Sequence, residues 1–221
     1  GERGVEFLPG SPATLERGSS VVATRLDGSR FEADVAFVNI GHRPSVTNLD
    51  LLTAGVTTTD SGAIQVDEYF RTTADGIYAV GDALRFWAAN VAMGEARCAA
   101  LHAAGVPVEA FDQATTIIPF GYNPQVAKVG AWDPDDASIR SGIAPYASSL
   151  MAHIERQSCG FVRVAWSEDG QILGAHAVGA SAADVLAPVA MAMKLGVTAA
   201  DLAAMSFGHP YYAELSSRAV Q

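Results

Sequence analysis

The sequence predicts an α/β piece followed by an α+β layer, on three observations. Two nearly unbroken apolar runs, residues 35–40 (VAFVNI) and 76–80 (GIYAV), precede an alanine-rich helical stretch. Residues 161–166 and 171–178 alternate around Glu168-Asp169-Gly170, a hairpin turn. Helical spacing then fills most of residues 182–219. Strands buried on both faces read as continuous apolar runs, and strands of a half-exposed antiparallel sheet alternate. Strands followed by helices make an α+β layer. The character of the chain changes in a connector over 107–115, so a boundary is expected near residue 113, giving regions 1–112 and 113–221.

Element by element, residues 5–8 are short and apolar, and 20–26 alternate before Asp27-Gly28 turns the chain into 30–34. The 35–40 run is expected as a strand ending at Gly41-His42-Arg43-Pro44, because Pro44 disfavours helix at Arg43. A polar stretch, 57–75, with a turn at Ser61-Gly62, leads to the second run and its end at Gly81-Asp82. A helix is expected over 89–104, where Ala92, Ala96, Ala99, Ala100 and Ala103 let its backbone approach a neighbour, and Gly105-Val106-Pro107 stops it. Further on, strands are expected at 117–119 and 126–130, and a short helix from an Asp133 cap and Pro134 to Arg140. After the hairpin come helices at 182–195, 199–205 and 211–219.

Composition narrows the function. With 49% hydrophobic and 17% charged residues in 221, the chain can build one or two cores, which excludes wholesale disorder. Fourteen Lys and Arg against 24 Asp and Glu give −10, which argues against nucleic acid or an anionic membrane surface as the main partner. No apolar run nears the ~20 residues that span a bilayer. The first ten residues hold no secretory h-region, and the absence of a starting Met points to a trimmed or excised chain. Cys98 and Cys159 are too distant for a CxxC pair; two thiols in a reducing cytoplasm is the simpler reading and a long-range disulfide the other. The sequence has no GxGxxG, P-loop, HExxH or zinc spacing, and its five histidines form no metal box.

Two places carry chemistry. Asp82 follows the carboxyl end of an apolar run, where open α/β sheets bind ligands. Its ionised carboxylate, acceptor-only, suits the hydroxyls of a sugar or ribityl chain, and Gly81 permits close approach to the backbone; capping of the next turn is the alternative. At the far end, Pro210 pre-sets a helix start with His209 just outside it, and Glu214 can return toward the imidazole. That hydrogen bond would fix the tautomer and raise the basicity of a general acid–base. A His-Pro helix start with an exposed Glu is the plain alternative.

Taken in order, these stretches resemble the FAD-dependent pyridine nucleotide–disulfide oxidoreductases, which include dihydrolipoamide dehydrogenase, glutathione reductase and mercuric reductase. Residues 76–83 (GIYAVGDA) are similar to that family's second flavin motif, and 40–44 (IGHRP) to its IGRxPN segment. LTAGV at 52–56 looks like the element that follows IGRxPN in the family. Residues 123–130 resemble the PEIAxVG opening of the dimerisation domain, 172–179 its ILGxHxxG hairpin, and 209–214 (HPYYAE) its HPTxSE motif. The redox CxxxxC and both GxGxxG motifs, which members carry upstream, are absent here. His42, Ser45, Gln125, Tyr211 and Ala213 replace the usual Arg, Asn, Glu, Thr and Ser.

The resemblance implies the C-terminal half of such an enzyme: a partial FAD/NAD(P)-binding Rossmann-like domain plus a C-terminal α+β dimerisation domain. It implies that Asp82, with Gly81, holds the FAD ribityl and phosphate region. It also places Trp87, Ala88, Ala89 and Asn90 at the isoalloxazine edge and Gly41 near the NAD(P)H, although Trp87 also reads as a packing aromatic. His209 with Glu214 would serve proton transfer at the partner subunit's flavin–dithiol site. The parent would be a cytoplasmic homodimer through residues 113–221 acting on a disulfide or similar small acceptor, and this chain alone would be inactive. Two rivals stay open: a thiol-independent flavin reductase or transhydrogenase of the same fold, and a non-catalytic dimerisation module.

Overall fold

The computed structural model describes residues 4–8, 10, 12–85 and 88–221. The chain resolves into two compact units, residues 1–42 and 43–221.

The first unit is an antiparallel meander of β1 (Pro12–Arg17), β2 (Val21–Arg25) and β3 (Arg30–Ala33). The Asp27-Gly28 turn forms as expected. Asp27 accepts from the Ser29 N–H at 2.9 Å, and Gly28 takes φ +82 in the left-handed region. Residues 5–8 form no strand, and β1, which the apolar pattern does not announce, takes the edge instead. Residues 35–40 correct the expectation too. They join no ladder, and Val35, Phe37 and Ile40 are 80%, 91% and 83% exposed. A strand buried on both faces needs neighbours for its amides and carbonyls, and no described segment supplies them.

The second unit holds two hydrophobic cores. The smaller gathers Val46, Val56, Ile64, Phe70, Leu84, Cys98 and Ala99. Its helix is α1 (Ala89–Ala103), which buries Val91, Glu95, Cys98 and Ala99 on one stripe at helical spacing. Residues 76–80 form only an isolated bridge, Tyr78 to Arg71, and Ile77 stays 39% exposed. The Tyr78 hydroxyl pairs with His102 Nδ1 at 2.9 Å, which ties this run to the end of α1.

The larger core lies under a five-stranded antiparallel sheet in the order β4 (Ile118–Phe120), β5 (Val126–Gly130), β8 (Ile172–Val178), β7 (Phe161–Trp166), β6 (Arg140–Pro145). Ala127, Val129, Val162, Val164, Ala175 and Ala177 face inward, fully buried, against α3 (Ala182–Leu195). Ala182, Val185, Leu186, Val189 and Ala192 make up the inner stripe of α3. Gly196 at φ +68 closes α3, its N–H reaching Met193 O and that of Val197 reaching Ala192 O, a Schellman-type end. A capping box between Thr198 and Asp201 starts α4 (Ala199–Ala204). Leu215 anchors α5 (Glu214–Arg218) in the core. Gly142 on β6 admits the chain end, since a Cβ there would lie 2.1 Å from Ala219 O.

Residues 133–139 do not form the expected helix. Asp133 accepts from the Asp135 N–H and Asp136 from the Ser138 N–H, so both carboxylates close local turns and the chain enters β6 at Arg140. A short helix, α2 (Leu150–Ile154), follows instead, with Ser149 as its cap.

Candidate functional site

The singled-out residues gather in two places. In the first, Gly81–Ala83 makes a single 3₁₀ turn after the 76–80 run. Gly81 has φ +65, and a Cβ on it would sit 3.1 Å from the Ala92 Cβ, so glycine lets the turn lie against α1. Gly81 is buried and Asp82 exposed. Among the described residues the Asp82 carboxylate takes part in no hydrogen bond or ion pair. Three residues after Arg85, Ala88 caps α1 without a side-chain acceptor, and its carbonyl takes the amides of Val91 and Ala92. The amides of Ala89 and Asn90 are thus left open among the described residues at the positive end of a four-turn helix. The Asn90 side chain is engaged elsewhere: Nδ2 donates to Ile117 O at 2.8 Å, tying the start of α1 to the approach to β4. Trp87 lies outside the described residues. Gly41 belongs to the other unit, where it sits exposed at φ +102.

Beneath the turn lies a residue that sequence reasoning missed. Glu95 is fully buried; Oε2 accepts from the Gly81 N–H at 2.7 Å and Oε1 from Arg85 at 3.2 Å. Arg85 also donates to Gln113 Oε1 at 2.9 Å. The signal was present: Glu95 shares the apolar stripe of α1 with Val91, Cys98 and Ala99, and a carboxylate there demands a donor from another element.

In the second place, His209 Nδ1 lies 2.7 Å from Glu214 Oε1, with the imidazole side chain 59% exposed and Glu214 13%. The helix starts at Glu214, so His209 stands five residues ahead of it, beyond a turn at 209–212, instead of just outside its first turn. Arg218, one turn along α5, reaches Glu214 Oε2 at 3.3 Å and donates to Ser148 O at 2.6 Å. Both carboxylate oxygens are therefore engaged and the side chain is fixed. Because an ionised carboxylate only accepts, Nδ1 carries the proton in the neutral ring and the Nε2 lone pair is left free. The turn is anchored from below by Tyr212, whose hydroxyl donates to Glu155 at 2.8 Å. Burial, then the bond to Glu155, pushes the Tyr212 phenol up to about 12. Arg218 was legible as an i, i+4 partner of Glu214, but Glu155 is 57 residues from Tyr212 and had no local signal.

Among the described residues no group of three His, Cys, Asp or Glu is placed to hold a metal ion. None of their helices is long and apolar enough to cross a membrane.

Comparison with known proteins gives a consistent picture. Dihydrolipoyl dehydrogenase of Haloferax volcanii is 34% identical over 233 residues, covering all of this chain and 49% of that protein. Its namesake from Geobacillus stearothermophilus is 30% identical over 231 residues with the same coverage. The chain thus spans about half the length of the curated relatives it matches. Among solved structures, LpdA of Mycobacterium tuberculosis superposes with a TM-score of 0.88 at 28% identity, over 99% of this chain and 50% of that one. The HOCl-induced flavoprotein disulfide reductase RclA of Escherichia coli shares the fold, with a TM-score of 0.80 at 22% identity, over 92% of this chain and 48% of that one. The family models for pyridine nucleotide-disulphide oxidoreductase and for its dimerisation domain match residues 1–103 and 120–220. With nearly every residue accounted for by these two models in their order along the chain, it belongs to the pyridine nucleotide-disulphide oxidoreductase family.

Proposed function

We propose that this chain is the C-terminal half of a homodimeric flavoenzyme that passes a hydride from NAD(P)H through FAD to a small disulfide, in the manner of dihydrolipoamide dehydrogenase. In this reading residues 1–112 belong to the nucleotide-binding domains and 113–221 to the dimerisation domain. The separate cores on either side of the connector support that division. A reducing cytoplasmic compartment suits the free thiols of Cys98 and Cys159.

The exposed carboxylate of Asp82 and the open amides of Ala89 and Asn90 fit a ligand that pairs hydroxyl donors with anionic groups, as FAD does. Asp82 and Gly81 would hold its ribityl and phosphate region, with Trp87, Ala88, Ala89 and Asn90 at the ring edge and Gly41 toward the NAD(P)H. Bound there, the flavin supplies two-electron chemistry between the nicotinamide and the dithiol. The proton work falls to His209: Glu214 holds Nδ1–H, and Nε2 takes a proton from a thiol and returns it as thiolate and disulfide exchange.

The observation that carries this reading is the exposed His209–Glu214 pair, held on both sides of its carboxylate, in a chain of this family. The test is expression of the complete protein and of residues 1–221 alone. The complete protein is expected to purify yellow and to oxidise NADH or NADPH with lipoamide, and the isolated chain to show no turnover. A complete protein that reduces no disulfide, or an isolated chain that does, overturns the reading.

A further inference from the structure

Glu95 is a charged side chain with no exposed surface, on a helix face that otherwise buries Val91, Cys98 and Ala99. Removing a carboxylate from water is costly, and an apolar residue of similar size would fill this place without that cost. The carboxylate is instead divided between the two ends of one short turn. Oε2 takes the amide of Gly81, immediately before Asp82, and Oε1 takes Arg85, three residues after it. The Gly81 N–H therefore points into the protein and is unavailable to a ligand, and the peptide leading into Asp82 is fixed. Gly81 takes φ +65, and a Cβ there would lie only 3.1 Å from the Ala92 Cβ, so the same turn sits close on the same helix.

Resting on the flavin reading above, we propose that Glu95 is the positioning residue for that cofactor. From inside the fold it fixes the orientation in which Asp82 meets the ribityl–phosphate portion, without touching it. Through Arg85 and Gln113 the same knot ties the turn to the connector ahead of β4. Asp82 itself is exposed and, among the described residues, takes part in no hydrogen bond or ion pair, so its reach is set by the backbone beneath it.

Two readouts test this, neither of them turnover. In the chain of residues 1–221, amide hydrogen exchange at Gly81 is expected to be slow in the wild type and in Glu95→Gln, whose amide oxygen still accepts, and faster in Glu95→Ala. In the complete protein, FAD affinity measured by flavin fluorescence is expected to fall about 10- to 100-fold in Glu95→Ala, the loss of one buried bond to a charged acceptor. Glu95→Gln is expected to restore it to within about threefold. Wild-type affinity in Glu95→Ala, or a loss that Glu95→Gln does not restore, overturns the inference. If Glu95→Ala does not fold, Glu95→Asp replaces it, because a carboxylate one methylene shorter draws back from Gly81; unchanged affinity there is equally fatal. A wild-type complete protein that binds no FAD defeats the flavin reading instead, and leaves the exchange result to show whether Glu95 holds the turn.

Discussion

Two stretches of similar chemistry end in opposite environments. Phe161–Trp166 and residues 35–40 are both six-residue runs dominated by Val, Ala and aromatic side chains. In the first, Val162, Val164 and Ala165 are fully buried; in the second, Val35, Phe37 and Ile40 are at least 80% exposed. The difference is who supplies the neighbours. β7 is flanked by β8, delivered by a three-residue turn, and by β6, so its amides are paired and it packs against α5. The 35–40 run meets no strand among the described residues, and hydrophobicity alone cannot close a backbone. The five-stranded sheet completes its own backbone pairing, and the 35–40 run does not among the described residues.

The contrast can be broken by experiment. The largest effect is expected in the region of the five-stranded sheet, at the proposed acid–base. In the complete protein His209→Gln is expected to lower disulfide reduction about 10²- to 10⁴-fold while reduction of the flavin by NADH stays near wild type in a stopped-flow experiment. Equal loss in both half-reactions would reassign His209 to a structural role. Next comes stability. In the isolated chain Leu186→Ala, which empties a fully buried site under α3, is expected to cost about 2–5 kcal/mol in urea unfolding, and Phe37→Ala within about 0.5 kcal/mol. A costly Phe37→Ala in the isolated chain would erase the comparison; a cost that appears only in the complete protein would sharpen it.

The smallest effect concerns pH. His176 lies on β8 between Lys128 and Arg163 on the flanking strands and stacks on Trp132 with ring centroids 4.3 Å apart. Desolvation first, then these two cations, depress its basicity below the usual 6.5. The unfolded chain thus binds a proton near 6.5 that the folded chain binds only at lower pH. This contribution is neutral above that range and becomes destabilising as pH falls through it. Urea unfolding at pH 7.5 and 5 is expected to show a larger acid loss in the wild type than in His176→Gln. Equal losses would show that the sheet face leaves His176 free to titrate.

Legibility followed the same line. The 161–178 hairpin, α1 and α3 could be read because their partners are near in sequence or their apolar stripe is regular. Asp133-Pro134 misled because its carboxylate satisfied a local turn, and β6 was invisible because Arg140–Pro145 alternates only weakly. At the candidate site, Asp82 and the His209–Glu214 spacing were plain in the chain, whereas Glu95 beneath Gly81 and Glu155 beneath Tyr212 were not.

By itself the order of residues determined the long helices α1 and α3, where the hairpins turn, the family, and the identity of the exposed polar groups, because those show in local spacing and motifs. Only the tertiary structure decided which apolar runs are buried and which hidden carboxylates hold the exposed ones in place. Burial and hydrogen-bond completion are settled by whatever distant segment arrives to share them.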